Sequence, residues 1–157
     1  MKLETDVFSI FDQKWALLCS GTGDDHNAMT VSWGGLGTLW GKPAATVYVR
    51  HSRHTFGYMN KNGLFTLSFF PEDCRRALQV MGSVSGRDTD KDAAAGLTPK
   101  PLDGCAAYEE ADLILVCRVM MSQDMDPEAI PGDALQFYPD RDWHRIYIGE
   151  VVEIIRK

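Results

Sequence analysis

The run Arg50-His51-Ser52-Arg53-His54-Thr55 gathers two guanidinium groups, two imidazoles and two hydroxyls within six residues. Guanidinium forks match phosphate oxygens in two-point contacts, and hydroxyls add neutral donors. Apolar alternation precedes the run and a helix signal follows it, so it joins a strand to a helix. Free N–H groups and the positive end of the helix dipole face outward at such a junction. Capture of a phosphate by Arg50, Ser52, Arg53 and Thr55 is the chemistry this suits. From Ala28 to Pro71 there is no Asp or Glu, while Lys42, Arg50, Arg53 and Lys61 contribute +4, so the rest of a chain of net charge −6 carries −10. Local potential, more than net charge, decides where an anion docks. The same residues also suit a blander arrangement, with Ser52 a plain helix N-cap and the arginines on a solvated face.

Three further segments carry chemical interest. Asn27-Ala28-Met29-Thr30-Val31-Ser32-Trp33-Gly34-Gly35-Leu36-Gly37 alternates hydroxyl and apolar residues and then turns glycine-rich. A flat heteroaromatic ring needs backbone donors and acceptors at its polar rim and apolar bulk against its face, and this segment offers both; a glycine-rich hairpin fits it equally. Gly82-Ser83-Val84-Ser85-Gly86-Arg87-Asp88-Thr89-Asp90-Lys91 reads as a flexible polar loop after a helix, suited to closing over a phosphate or sugar or to capping the next helix. Trp143-His144-Arg145 stands just ahead of an apolar strand, where a lone histidine serves structure more often than catalysis.

Other chemistries find no support. The chain has no GxSxG elbow, no HExxH, no Walker loop and no GxGxxG, since Trp40 stands where the third glycine would be. Asp24, Asp25 and His26 are adjacent, and neighbours on one loop rarely converge on one ion, so no metal site is expected.

The elements that must position these groups are mostly strands. Leu64 to Phe70 alternates strictly, with Phe65, Leu67 and Phe69 on one face and Thr66 and Ser68 on the other. Ala45 to Arg50 sets Val47 and Val49 against Thr46, Tyr48 and Arg50. Strands are also expected at Trp15 to Ser20, Ala28 to Trp33, Asp112 to Met121 and His144 to Ile155. Pro71 with Glu72 and Asp73 starts a helix whose stripe is Cys74, Ala77, Leu78 and Met81. Shorter helices are expected from a Ser52 cap through about Asn60, with Phe56 and Met59 inward, and from Asp88 to Ala95, stopped by Gly96. Without regular strand–helix alternation, the expectation is a mainly β fold, an antiparallel barrel with a few helices packed outside.

A chain of 157 residues, 45% hydrophobic and 24% charged, is expected to form one globular domain over 1–157. That length leaves no room for a separate dinucleotide-binding domain, so redox chemistry would share one fold. The acidic balance, with a sequence pI of about 5.1, argues against nucleic acid. The start, MKLETDVFSIFDQKW, lacks the basic and apolar run of a signal peptide, and no stretch reaches the ~20 apolar residues that span a bilayer. Cys19, Cys74, Cys105 and Cys117 form no CxxC pair and suit buried reduced thiols. A soluble cytoplasmic protein, with no membrane partner, is the expectation.

Taken in order, NAMTVSWGGLGTLWGKP (27–43), TVYVRHSRHT (46–55), LFTLSFF (64–70), GSVSGRDTDK (82–91) and HRIYIGEVVEI (144–154) resemble the flavin reductase-like family of FMN-binding split β-barrels, which includes the flavoredoxins. The resemblance implies a Greek-key split barrel, usually a homodimer, with FMN near the subunit interface. By position, it implies that Met29, Thr30, Val31, Ser32 and Trp33 line the isoalloxazine, and that Arg50, Ser52, Arg53 and Thr55 take the phosphate and ribityl chain. Ser83, Arg87 and Lys91 would close the site from their loop, and His144 would sit at the flavin edge where nicotinamide stacks. The match is weakest over 99–111 and 126–142. Since the flavin carries out the redox step itself, no side-chain nucleophile or metal is required. Two functions follow as expectations: NAD(P)H-dependent flavin reduction by hydride transfer, with NADH or NADPH as reductant, or a tightly FMN-bound electron-transfer protein serving a protein acceptor.

Overall fold

Ala16–Thr22 (β1), Asp25–Val31 (β2), Gly34–Leu39 (β3), Lys42–Arg50 (β4), Leu64–Phe69 (β5), Leu113–Asp124 (β8) and His144–Arg156 (β9) form one antiparallel sheet in the computed structural model, which describes all 157 residues. Pro99–Leu102 (β6) and Cys105–Tyr108 (β7) form a separate hairpin. The strand order is β2-β1-β5-β8-β9-β4-β3. β2 and β3 thus lie at opposite ends of the sheet, yet only Ser32 and Trp33 join them along the chain. Both facts hold only if the sheet curls until its edges meet, leaving a barrel split along one seam.

The alternation read from the sequence fills this barrel. Phe65, Leu67 and Phe69 of β5, Val47 and Val49 of β4, Leu18 of β1, Met29 and Val31 of β2, Leu115 of β8 and Tyr147 of β9 share one buried interior cluster. A second cluster lies outside the barrel wall. There Leu17, Cys19, Ile114 and Val116 pack against Leu78 and Met81 of helix α3 (Arg75–Ser83) and against β7. Four helices flank the barrel: α1 (Ser9–Asp12) and α2 (His54–Lys61), which send Ile10, Phe11 and Met59 into the interior cluster, and α3 and α4 (Lys91–Ala95), which pack on the outer one. The longest, α3, has nine residues, and no helix is long and apolar enough to cross a membrane.

The six expected strands form, with shifts of a few residues at their ends, and the expected split barrel is the fold. Several local expectations are corrected. The glycine-rich stretch is itself a strand, β3, because an edge strand tolerates glycine; its hairpin to β4 turns at Trp40 and Gly41, both at positive φ (51° and 72°), as a tight type I′ turn requires. β6 and β7 escape a propensity reading because Pro and Ala are poor strand formers. Ser52 is not the cap of α2: Arg53 holds the N-cap position without a side-chain bond, and the Ser52 hydroxyl donates to Asp142. The third helix begins only at Lys91, where Asp90 caps it by accepting from the Ala93 N–H, and ends at Gly96 with φ of 69°. Cys74 is only partly buried, unlike the other three thiols.

Candidate functional site

The seam is chemically unusual. Neither Ser32 nor Trp33 makes a backbone hydrogen bond, so two N–H and two C=O groups stand unpaired beside the edges of β2 and β3. A cavity of about 250 Å³ opens there, lined by Met29, Thr30, Val31, Ser32, Trp33, Tyr48, Arg50, Arg53, Gly82 and His144. Main-chain donors and acceptors along one side, with aromatic and thioether surface beside them, suit the rim and face of a flat heterocycle. The Thr30 hydroxyl is not free for such a ring, because it donates to the Leu78 carbonyl of α3.

The far wall is aromatic. His144, the first residue of β9, lies directly across the ladder from Arg50 and is only 7% exposed. Its ring sits 5.6 Å from Trp33, 6.2 Å from Tyr48 and 5.4 Å from Tyr138, centroid to centroid. Burial, reinforced by Arg50, holds its pKa down to about 4, so the imidazole is neutral. Arg50 itself donates through Nη1 to the Asp142 carbonyl (2.8 Å) and through Nη2 to the Phe137 carbonyl (2.9 Å), while its guanidinium lies over the Tyr138 ring. It therefore ties the 137–142 segment to β4 and lines the seam cavity. Asp142 also accepts from the Ser52 N–H at 3.2 Å and from its hydroxyl, bringing a carboxylate from 90 residues away into the basic run.

A second cavity, of about 200 Å³, adjoins the first at Arg53. It is lined by Asn27, Ser52, Arg53, His54, Thr55, Ser83, Val84, Ser85, Gly86, Arg87 and Lys91, with no carboxylate among them. Arg87 reaches back from its loop to donate to the Ser52 carbonyl at 3.1 Å. The first amides of α2, those of His54 and Thr55, make no backbone hydrogen bond. The cations bear on one another: burial and then Arg50 lower the Arg53 pKa, and burial followed by Arg87 and Lys91 lowers that of His54. Burial, and then Arg53, brings Lys91 down to about 8. Positive groups that disfavour one another's charge, set among neutral donors, suit an anion.

Lys91 is not on a flexible loop. It opens α4, is 6% exposed and donates to the Ala28 carbonyl at 2.6 Å. Its neighbour Asp92 fixes that helix, accepting from His26 Nε2 at 2.8 Å and from the Tyr108 hydroxyl at 2.7 Å. His26 Nδ1 meets the Gly23 carbonyl at 2.7 Å. Because both imidazole nitrogens face pure acceptors, both carry protons and the ring is cationic; the hydrogen bond to Asp92 raises its pKa.

Every residue singled out in the sequence lines one of the two cavities: Met29 to Trp33, Arg50 and His144 the first, Ser52, Thr55, Ser83, Arg87 and Lys91 the second, and Arg53 both. The Ser83 hydroxyl donates to Val80, and the Thr55 hydroxyl accepts from Asn27 at 2.7 Å, so both are partly engaged. Sequence reasoning missed Tyr48 and gave no role to Asn27, His54, Gly82, Val84, Ser85 and Gly86, although they fall in the segments it singled out. Tyr48 had a signal, since it shares the outward face of β4 with Arg50. The covering residues Phe137, Tyr138 and Asp142 had none.

Residues 8–157 match the model of the flavin reductase like domain. Among curated proteins no match was found. The fold is similar to that of flavoredoxin from Methanosarcina acetivorans, at TM-score 0.73 and 22% identity, covering 100% of this chain and 75% of that one. It is similar to flavoredoxin of Desulfovibrio vulgaris (TM-score 0.71, 20% identity, 100% and 77% covered). It is similar as well to an NADH:FAD oxidoreductase of Streptomyces globisporus (TM-score 0.69, 16% identity, 92% and 75% covered). With the family model running through both cavities and nearly the whole chain, the protein belongs to the flavin reductase-like family.

Proposed function

We propose that the protein binds FMN and catalyses NAD(P)H-dependent reduction of flavin by hydride transfer, residues 1–157 acting as one domain. The observation that carries this reading is the junction at Arg53, which lines both a seam cavity with unpaired main-chain groups and a cationic pocket with no carboxylate among its lining residues. A flat ring bearing a phosphate tail has these two needs in this order, and the two volumes together fall within the roughly 300–1,000 Å³ of small-molecule clefts. When bound, FMN would supply the two-electron acceptor for a hydride from NAD(P)H. Arg53, Arg87, Lys91 and the His54 and Thr55 amides hold the phosphate. Ser32 and Trp33 main-chain groups orient the ring, Met29 and Trp33 exclude water from it, and His144 presents a neutral imidazole beside it.

Anaerobic addition of NADH or NADPH to FMN-loaded protein checks the reaction: bleaching of the flavin absorbance within seconds is expected. Tight flavin without bleaching would favour the electron-transfer reading, in which a partner protein docks beside the cavity where exposed Trp33 (41%) meets Phe137 (48%) edge-on. Absence of flavin binding would overturn both.

The protein is also proposed to act as a cytoplasmic homodimer. Unpaired thiols suit a reducing compartment. Of the two apolar strands that the sequence offers for pairing, Leu113 to Val119 lies mid-sheet between β5 and β9, in the two cores, whereas Ile146 to Ile155 keeps part of its outer face uncovered. The supporting surface is that outer face, on which Thr46 and Met121 flank Ile148 and Tyr48 flanks Ile146, all half-buried. Light scattering should give twice the chain mass of 17.5 kDa at micromolar concentration; the monomer mass would remove the dimer.

A further inference from the structure

We infer that Tyr138 is the positioning residue for His144, fixing its ring so that Nε2–H points into the seam cavity as a donor to the carbonyl oxygen of a planar, carboxamide-bearing reductant. The inference rests on the reading of the site as a flavin and nicotinamide site, and it names a residue that the sequence did not bring forward. The Tyr138 hydroxyl lies 2.7 Å from His144 Nδ1 and 3.3 Å from the sulfur of Met125. The phenol has one proton to give, and an imidazole nitrogen is a far better acceptor than a thioether. The shorter contact and the stronger acceptor agree, so the proton goes to Nδ1 and the ring proton resides on Nε2.

Nε2 has no partner within the chain. It is not a sealed orphan either, because the one fully buried side-chain polar atom without a partner is Ser68 Oγ, whereas His144 lines the cavity. The ring cannot easily swing away. Trp33, Tyr48 and Tyr138 surround it, and Tyr138 is itself 8% exposed and packed against Trp143, with the two tilted rings 4.9 Å apart between centroids. Arg50 braces the same segment through the Phe137 and Asp142 carbonyls. A neutral donor aimed along a cavity wall matches a carboxamide oxygen. With the opposite tautomer, Nε2 would be an acceptor and would repel that oxygen.

The test is nitrogen NMR of the His144 ring in the flavin-free protein, run beside kinetics of the loaded one. In wild type, Nε2 should carry the proton and Nδ1 should be bare; the reverse overturns the inference. Tyr138→Phe should shift the ring toward the other tautomer or a mixture. It should weaken apparent NADH binding about two- to tenfold, as loss of one neutral hydrogen bond does, while FMN affinity holds. An unchanged tautomer and unchanged NADH dependence in that variant would also overturn it. Should Tyr138→Phe fold poorly, Met125→Leu decides: it removes only the competing sulfur, so tautomer and rate should hold, and a tautomer that changes shows the phenol proton had been on sulfur. A protein that takes no electrons from NADH but shows the Nε2–H tautomer would count against the proposed function and leave the positioning role standing.

Discussion

Arg53→Ala should weaken FMN binding roughly ten- to a hundredfold and riboflavin binding much less, the loss expected for one charge-assisted contact of ~1.5–3 kcal/mol. Arg53 stands where the two cavities meet, and in the chain it contacts only the Gly82 carbonyl, at a long 3.3 Å. Its charge is poorly compensated: burial and Arg50 both disfavour it, with Asp142 the one opposing influence. Arg50, which the sequence nominates as strongly, should behave differently. Two of its donors already hold backbone carbonyls, and it lines only the ring cavity, so Arg50→Ala should reduce affinity for the two flavins alike. Lys91 adds a pH signature. Held down to about 8 by burial and Arg53, it loses its proton as pH rises past that value, so flavin-free protein should bind FMN more weakly there while riboflavin binding stays level. Fluorescence titration of both flavins into wild type and variants provides the readout. Equal losses of the two flavins in Arg53→Ala would place the phosphate elsewhere.

Asp92→Ala should cost about 2–4 kcal/mol of stability, because it strands two partners at once. Tyr108 is fully buried and would keep a hydroxyl without an acceptor, and the cationic His26 would lose its carboxylate. The pH dependence has a definite sign. His26 is raised above its ordinary 6.5, so its contribution is complete below that value and fades as pH rises through the folded-state pKa. Burial pushes Asp92 up, but the hydrogen bonds from His26 and Tyr108 outweigh it and leave it below 3.8, so its contribution is complete above that value and fades on further acidification. Urea denaturation of wild type and variant should show the widest gap near pH ~5.5 and a narrower one in alkali. A gap that widened with rising pH would show that His26 is not charged in the native state. Since α4 carries Lys91, the same variant should lose FMN affinity as well.

The barrel was legible because its strands bury one face in a shared interior, and that demand writes period-two alternation at Phe65-Leu67-Phe69 and Val47-Val49. The site was legible where a segment supplies its groups locally, as at 29–33 and 50–55. Other features depend on pairs distant in sequence. Asp142 meets Ser52 from 90 residues away, and Lys91 is buried because Asp92 pins its helix to His26 and Tyr108. No local pattern encodes such meetings. β6 and β7 stayed hidden for a different reason: the hairpin packs its small residues Cys105, Ala106 and Ala107 against the barrel wall, and context overrides their poor strand propensity.

Ser32 and Trp33 give the seam one more property. In a closed barrel each strand is gripped on two sides; here β2 and β3 are each gripped on one, and the groups left over face the same gap. A planar heterocycle lodged in that gap would serve as a substitute rung between the two edges. The prosthetic group would then be a tenon in the barrel's joinery as well as its reactive part, and opening of the seam would be the motion by which flavin enters and leaves.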